Sequence, residues 1–165
     1  MKVTLGGEAV TLVGNDLKVG DKAPDFSLNN LNNEPVQLAN LLTQPVLLNV
    51  VPDIETGVCQ LQTKRFNQEA NKITEAKLVT ISKNSREEQQ NWCAGEGIDM
   101  EMLHDPELFF GREYGILIEE LGIFARSIFI IDTDGKIAYV QIVPEIKQEP
   151  DYDEALAALK ELINS

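Results

Sequence analysis

The fold of this chain is constrained most by an alternation of strand and helix patterns through its middle. An apolar run at 45–51, bounded by prolines, is typical of a strand that is buried on both faces of a sheet. Helical periodicity begins at or just before Cys59, and a strand pattern returns at 77–82. Ser85 and Glu88 then form a capping-box pattern that starts a second helix. This alternation predicts a sheet with parallel strands joined by helices.

Antiparallel strands are expected on both sides of this central unit. Gly6-Gly7 favours the tight turn of a β-hairpin between strands at 3–5 and 9–13, and Asp134-Gly135 favours a second hairpin. The other expected elements are strands at 26–28, 35–38, 100–103, 127–131 and 137–143, a helical turn at 38–42, and helices at 106–114 and 152–163. The sequence predicts one α/β domain over residues 1–165, with a mixed β-sheet, helices on both faces and an added N-terminal β-hairpin.

Charge and cysteine content limit the function classes. The chain carries 27 acidic residues against 14 Lys and Arg, a net charge of -13, so we expect no nucleic acid and no membrane partner. The N-terminus lacks the apolar stretch of a secretory signal, and we expect a cytoplasmic protein. Two cysteines are too few for a disulfide scaffold and are more typical of catalysis or redox chemistry. Cys59 and Cys93 are therefore the leading candidates for a functional site.

Cys59 is expected in the first turn of its helix. Free backbone N–H groups and the positive end of the helix dipole stabilise a thiolate there, and the thiolate is the nucleophilic form of cysteine. Thr56 can cap the helix or direct its hydroxyl towards whatever the sulfur attacks, and Gly57 lets backbone approach closely. Pro52 sets the entry of the loop and shields the site from water. By position alone, a buried and inert cysteine is an equally good interpretation.

The residues around Cys59 match a known family. Pro52, Thr56 and Cys59 have the spacing P-x-x-x-T-x-x-C, which resembles the active-site signature of the peroxiredoxins. The longer PDIETGVC, followed by QTKRFN at 62–67, is similar to the thiol peroxidase branch, the atypical two-cysteine peroxiredoxins of bacteria. Further matching segments are GDKAPDF at 20–26, NWCAGEG at 91–97, FGREYG at 110–115, ARS at 125–127, VPEI at 143–146 and EPDY at 149–152.

This resemblance implies a thioredoxin-like fold and a cysteine-based peroxidase. Cys59 would attack a hydroperoxide and become a sulfenic acid, and Cys93 would resolve it as an intramolecular disulfide that thioredoxin re-reduces. Thr56 and Arg126 would orient the peroxide and stabilise the departing oxygen. A disulfide needs Cα atoms within about 4.4–6.8 Å, so we expect the first turn of the Cys59 helix and the end of the Cys93 helix to unwind locally on oxidation. The family usually forms homodimers, and the apolar residues at 116–124 could contribute to an interface.

Other interpretations of the same residues are weaker. His104, the only histidine, beside a cysteine suggests a cysteine hydrolase, but no triad signature accompanies it. The paired ligand spacing of a zinc site is missing, and we expect no metal and no cofactor. A thioredoxin-like redox sensor remains the alternative to an enzyme. A sensor needs only the cysteine pair, so the presence of Thr56 and Arg126 favours the peroxidase.

The chain departs from the family pattern near both cysteines. It reads CAGEG at 93–97 where the family favours Cys-Gly-Ala-Glu-Gly, and Gln60-Leu61 replaces the small polar residues that follow the first cysteine in the family.

Overall fold

The computed structural model describes residues 3–53, 57–70, 72–96 and 101–164. The elements in these ranges, in chain order, are β1 (Val3–Leu5), β2 (Glu8–Val10), β3 (Leu12–Val13), β4 (Ser27–Asn29), β5 (Pro35–Gln37), α1 (Leu38–Leu41), β6 (Val46–Val50), α2 (Gly57–Ala70), β7 (Lys77–Ser82), α3 (Arg86–Glu96), β8 (Glu101–His104), α4 (Phe109–Glu113), β9 (Leu117–Ile118), β10 (Ile123–Phe124), β11 (Ser127–Ile131), β12 (Ile137–Ile142) and α5 (Tyr152–Ile163). No helix within these ranges has both the length and the apolar character needed to cross a bilayer.

One mixed sheet organises the molecule. Its strand order is β12-β11-β6-β7-β8-β4-β5, with β6, β7 and β8 parallel and the other neighbours antiparallel. Two smaller sheets accompany it, the β1–β2 hairpin and the group β10-β9-β3. The mixed sheet and the added N-terminal hairpin confirm the fold class predicted from the sequence.

The two faces of this sheet are covered by different helices. Leu47 of β6 and Ile128 of β11 pack with side chains of α2 and α5. Leu48 of β6 and Phe129 of β11 pack on the opposite face, in a cluster that includes Phe110 of α4 and residues of α1. Successive side chains of a strand point to opposite faces, so each central strand serves both clusters. This packing explains why 45–51 is apolar almost throughout.

The topology brings distant parts of the chain together at one end of the central strands. Val50, at the end of β6, pairs with Ile81 of parallel β7 and with Ser127, which begins antiparallel β11. The loop after β6 leads into α2, which carries Cys59, and Arg126 immediately precedes β11. Cys59, which follows β6, and Arg126, which precedes β11, therefore lie beyond the same end of these two strands.

The predicted strand at 9–13 is interrupted. The N–H of Thr11 donates to the carboxylate of Glu120 at 3.0 Å instead of to a neighbouring strand. The result is two short strands, β2 in the hairpin and β3 in the sheet with β9. The predicted strands at 26–28 and 100–103 are each shifted by one residue, and Met100 lies outside the described residues.

The segment from 106 to 124 differs most from the sequence-based expectation. The predicted helix at 106–114 is shorter because Leu108 has a left-handed backbone, with φ at 62°, and α4 begins only after it. The apolar residues at 116–124 form β9 and β10 rather than a loop, and Ile116, Leu117 and Ile118 are fully buried. Leu121 is 45% exposed. Most of the apolar side chains that were expected at a dimer interface are therefore part of the chain's own core.

Candidate active site

Cys59 lies in the first turn of α2, beyond the end of β6. Its side chain is fully buried, and the preceding Val51 and Pro52 are buried as well. The backbone N–H of Asp53 donates to the sulfur at 3.5 Å. The helix therefore begins as the sequence predicted, and Pro52 belongs to the buried loop beside the thiol. Thr56 lies outside the described residues, so its predicted role stays a prediction.

Arg126 is the cation of this site. Only 2% of it is exposed, and Nη1 donates to the sulfur of Cys59 at 3.3 Å and to Oε1 of Gln62 at 3.0 Å. Nε and Nη2 donate to the backbone carbonyl of Ile146 at 2.9 and 2.7 Å. A buried guanidinium needs such partners because desolvation of an unpaired charge is costly. This geometry sets a positive charge and an N–H donor against the sulfur, as a nucleophilic thiolate requires.

Gln62 and Asn49 are not among the site residues predicted from the sequence, although Gln62 begins the family-like segment at 62–67. Both are fully buried, and the side-chain amide of Gln62 donates to Oδ1 of Asn49. Asn49 Nδ2 in turn donates to the hydroxyls of Thr80 at 3.0 Å and Thr63 at 3.3 Å. The hydrogen bonds from Gln62 to Asn49 and from Asn49 to the two threonines form a buried amide row. The amide donors of this row point away from Arg126, so Oε1 of Gln62 accepts from the guanidinium. One signal was available, because Asn49 is the polar residue inside the apolar run at 45–51.

Cys93 lies in the second half of α3 and is 6% exposed. Burial raises the pKa of its thiol to about 11, so it is a neutral thiol at physiological pH. Both cysteines are free, and both belong to one buried cluster together with Val51, Trp92 and Met102. The structure brings the two predicted redox cysteines into the same apolar environment without a bond between them.

A polar contact joins the loops that precede the two cysteine helices. Nδ2 of Asn84, which is 2% exposed, donates to Oδ1 of Asp53 at 2.8 Å. The capping box next to it is present as predicted, with the Ser85 N–H donating to Glu88 at 3.0 Å and the Glu88 N–H donating to the Ser85 hydroxyl at 3.2 Å. The start of α3 is thereby tied to the loop whose amide contacts Cys59.

His104 ends β8 and its Nδ1 is buried without a partner in the described part of the chain. No cysteine bonds to it there. The described residues also contain no cluster of three or more His, Cys, Asp or Glu side chains placed to hold a metal ion. The described residues around Cys59 supply an arginine, a backbone amide and apolar side chains.

Comparisons with known proteins agree with this geometry. The model of the AhpC/TSA family matches residues 19–140. The thiol peroxidase of Bacillus subtilis (strain 168) is 40% identical over 164 residues, which are 98% of each chain. The thiol peroxidase of Streptococcus pneumoniae is 41% identical over 162 residues, 97% of this chain and 99% of that protein. Among solved structures, the peroxiredoxin-like protein from Aquifex aeolicus has a TM-score of 0.92 at 36% identity, over 98% of this chain and 96% of that one. The thiol peroxidase from Chromobacterium violaceum, at 20% identity and a TM-score of 0.88, shares the fold.

Proposed function

We propose that Cys59 is the cysteine that reduces the hydroperoxide. The chain belongs to the AhpC/TSA family and is a peroxiredoxin-type thiol peroxidase, so one of its cysteines must carry this reaction. The contact between Arg126 Nη1 and the Cys59 sulfur carries this assignment. The two residues are 67 positions apart in the chain, and the other described partners of Arg126, Gln62 and the Ile146 carbonyl, are uncharged. Its charge is therefore available to the sulfur and to the reacting oxygens.

In the first step the Cys59 thiolate attacks the terminal oxygen of a hydroperoxide. The S–O bond forms as the O–O bond breaks, the sulfur is oxidised to a sulfenic acid, and the peroxide is reduced to an alcohol or to water. The departing oxygen gains negative charge, which nearby donors stabilise. Hydrogen bonds to residues that the structure describes use four of the five N–H groups of Arg126. The fifth, on Nη2, is proposed to meet the peroxide, with the Thr56 hydroxyl as a second contact.

In the second step Cys93 resolves the sulfenic acid. Its sulfur attacks that of Cys59, the disulfide forms, and the hydroxyl leaves as water with the thiol proton. A buried thiol whose pKa is raised to about 11 is a poor nucleophile. We therefore propose that the C-terminal end of α3 and the first turn of α2 unwind after oxidation and expose Cys93 to water.

Reduced thioredoxin is proposed as the electron donor that breaks the disulfide by thiol exchange. A homodimer and a cytoplasmic location are proposed with it. Leu121 is the most exposed large apolar side chain of the 116–124 segment, and we propose that it contacts the second copy.

The test is NADPH consumption with thioredoxin, thioredoxin reductase and a hydroperoxide. The wild type should turn over, and Cys59→Ser and Cys93→Ser should not. Cys93→Ser should still consume one equivalent of peroxide in the absence of reductant, and Cys59→Ser should consume none. A wild type that forms the disulfide but is not reduced by thioredoxin would contradict the proposed donor and would favour the redox-sensor alternative.

A further inference from the structure

Two of the three guanidinium nitrogens of Arg126 bond to one backbone carbonyl. Nε and Nη2 of Arg126 both donate to the backbone oxygen of Ile146, at 2.9 and 2.7 Å. The position of this peptide group therefore sets the plane of the guanidinium and the direction of Nη1 towards Cys59. Ile146 lies in a turn after β12 and outside the main sheet. Something other than the sheet must fix this turn.

The carboxylate of Glu145 gathers four donors around that turn. Oε1 accepts from the Thr4 hydroxyl at 2.9 Å and the Gly7 N–H at 2.8 Å. Oε2 accepts from the Gly6 N–H at 3.2 Å and the Lys147 N–H at 2.7 Å. Gly6 and Gly7 have φ values of 61° and 86°, which favour glycine, and this turn directs both amides at one carboxylate.

The backbone of β1 completes the clamp. The Thr4 N–H donates to the carbonyl of Pro144 at 2.7 Å, and the Ile146 N–H donates to the carbonyl of Thr4 at 2.9 Å. Val3 and Ile146 are also buried in the same apolar cluster. The peptide that holds Arg126 is therefore held in turn by the N-terminal hairpin.

We propose that Glu145 is a positioning residue for peroxide reduction, which acts through the Ile146 carbonyl on Arg126, and that the N-terminal hairpin is the scaffold of this contact. The inference rests on the role proposed above for Arg126. Backbone hydrogen bonds, led by that from the Lys147 N–H, lower the pKa of Glu145 to about 2, so its carboxylate stays charged at neutral pH. The contact is therefore permanent rather than a pH switch.

Glu120 provides a matched control. Like the half-buried Glu145, the exposed Glu120 accepts a backbone N–H from the N-terminal part of the chain, that of Thr11 at 3.0 Å. Among the described residues this contact ends at Thr11, between β2 and β3, and does not involve Ile146 or Arg126. Glu120→Gln should therefore weaken only the attachment of Thr11, and should leave the contacts of Glu145 with Thr4, Gly6 and Gly7 and the position of Arg126 unchanged.

The experiment measures single-turnover peroxide consumption in Cys93→Ser protein, where only the first step occurs. Glu145→Gln keeps the shape of the side chain but replaces one acceptor oxygen with a donor that faces other N–H groups. We expect its second-order rate constant to fall roughly tenfold, less than the roughly 100-fold that a misplacement of about 1 Å can cost, because Arg126 is shifted slightly and not removed. Glu120→Gln should stay within about twofold of the parent, the ordinary scatter for a surface change, and Glu145→Asp should recover part of the rate.

A double-mutant cycle identifies the route. Arg126→Lys should slow the reaction, and adding Glu145→Gln should change it little further, because residues that act through one another are not additive. If Glu145→Gln lowers only the melting temperature, or if the two effects multiply, the positioning role of Glu145 is overturned while that of Arg126 stands. An unchanged rate for Arg126→Lys would overturn the role of Arg126 in the proposed function, and this inference with it.

Discussion

Replacing Gln62 with leucine tests whether the buried amide row holds Arg126 in place. Leucine has a similar size but offers neither the acceptor that Arg126 Nη1 uses nor the donor that Asn49 uses. Both partners are buried, Asn49 fully and Arg126 to all but 2%. Water is therefore poorly placed to replace the lost contacts.

The expected cost follows from the two groups left without their partner. A buried polar group that loses its hydrogen bond costs about 1–3 kcal/mol, so two of them cost about 2–6 kcal/mol. This is a large fraction of the ~5–15 kcal/mol that stabilises a typical domain. Arg126 also loses one of its two Nη1 acceptors, and we expect the first peroxide-reducing step to slow by roughly tenfold.

The assay is urea unfolding of the reduced protein, combined with single-turnover peroxide consumption. Gln62→Leu is measured beside Asn49→Leu and the double variant. Each single variant leaves one end of the Gln62–Asn49 hydrogen bond without its partner, and the double variant leaves neither, so the losses of unfolding free energy in the two single variants should sum to about 2–6 kcal/mol more than the loss in the double variant. Additive losses, or a Gln62→Leu variant with parental stability and peroxide rate, would refute the reasoning.

Three further predictions follow from other parts of the structure. In Cys59→Ser protein, alkylation of Cys93 should accelerate as the pH rises towards about 11, because burial favours the neutral thiol below the raised pKa; a plateau near the pH of an ordinary thiol would contradict this. Hydrogen exchange should show weaker protection at 57–60 and 93–96 in the oxidised than in the reduced protein, and equal protection would remove the proposed unwinding. Gly115→Ala should lower the unfolding free energy by about 3 kcal/mol or more, because its backbone has a φ of 71° and a Cβ would lie 1.8 Å from the Asn15 carbonyl oxygen; an unchanged urea midpoint would disprove it.

Elements with a strong local pattern were predicted almost to the residue. The strands at 77–82 and 127–131 and the helix at 152–163 have the bounds expected from the sequence. In each, the apolar residues follow the pattern of a buried strand or an amphipathic helix, so neighbouring residues alone are enough to recognise the element. The capping box at Ser85 is similarly local, since both of its hydrogen bonds join residues three apart.

The errors arose where distant contacts decide local structure. The strand predicted at 9–13 is split because Thr11 bonds to Glu120, more than a hundred residues later. The residues at 116–124 look like an exposed apolar loop until β3 pairs with β9 and they enter the core. Neither partner is visible in a window of neighbouring residues.

The sequence by itself determined the mixed α/β class and the helix start at Cys59, because these depend on periodicity and on patterns of neighbouring residues. It also made Cys59, Cys93 and, through the family resemblance, Arg126 the candidate site residues. Only the tertiary structure decided what surrounds the sulfur. The antiparallel register of β11 on β6 carries Arg126 to Cys59, and the row from Gln62 to Asn49 orients it. Hydrogen bonds between buried side chains depend on directions and distances that form only when the sheet closes, so no local pattern encodes them.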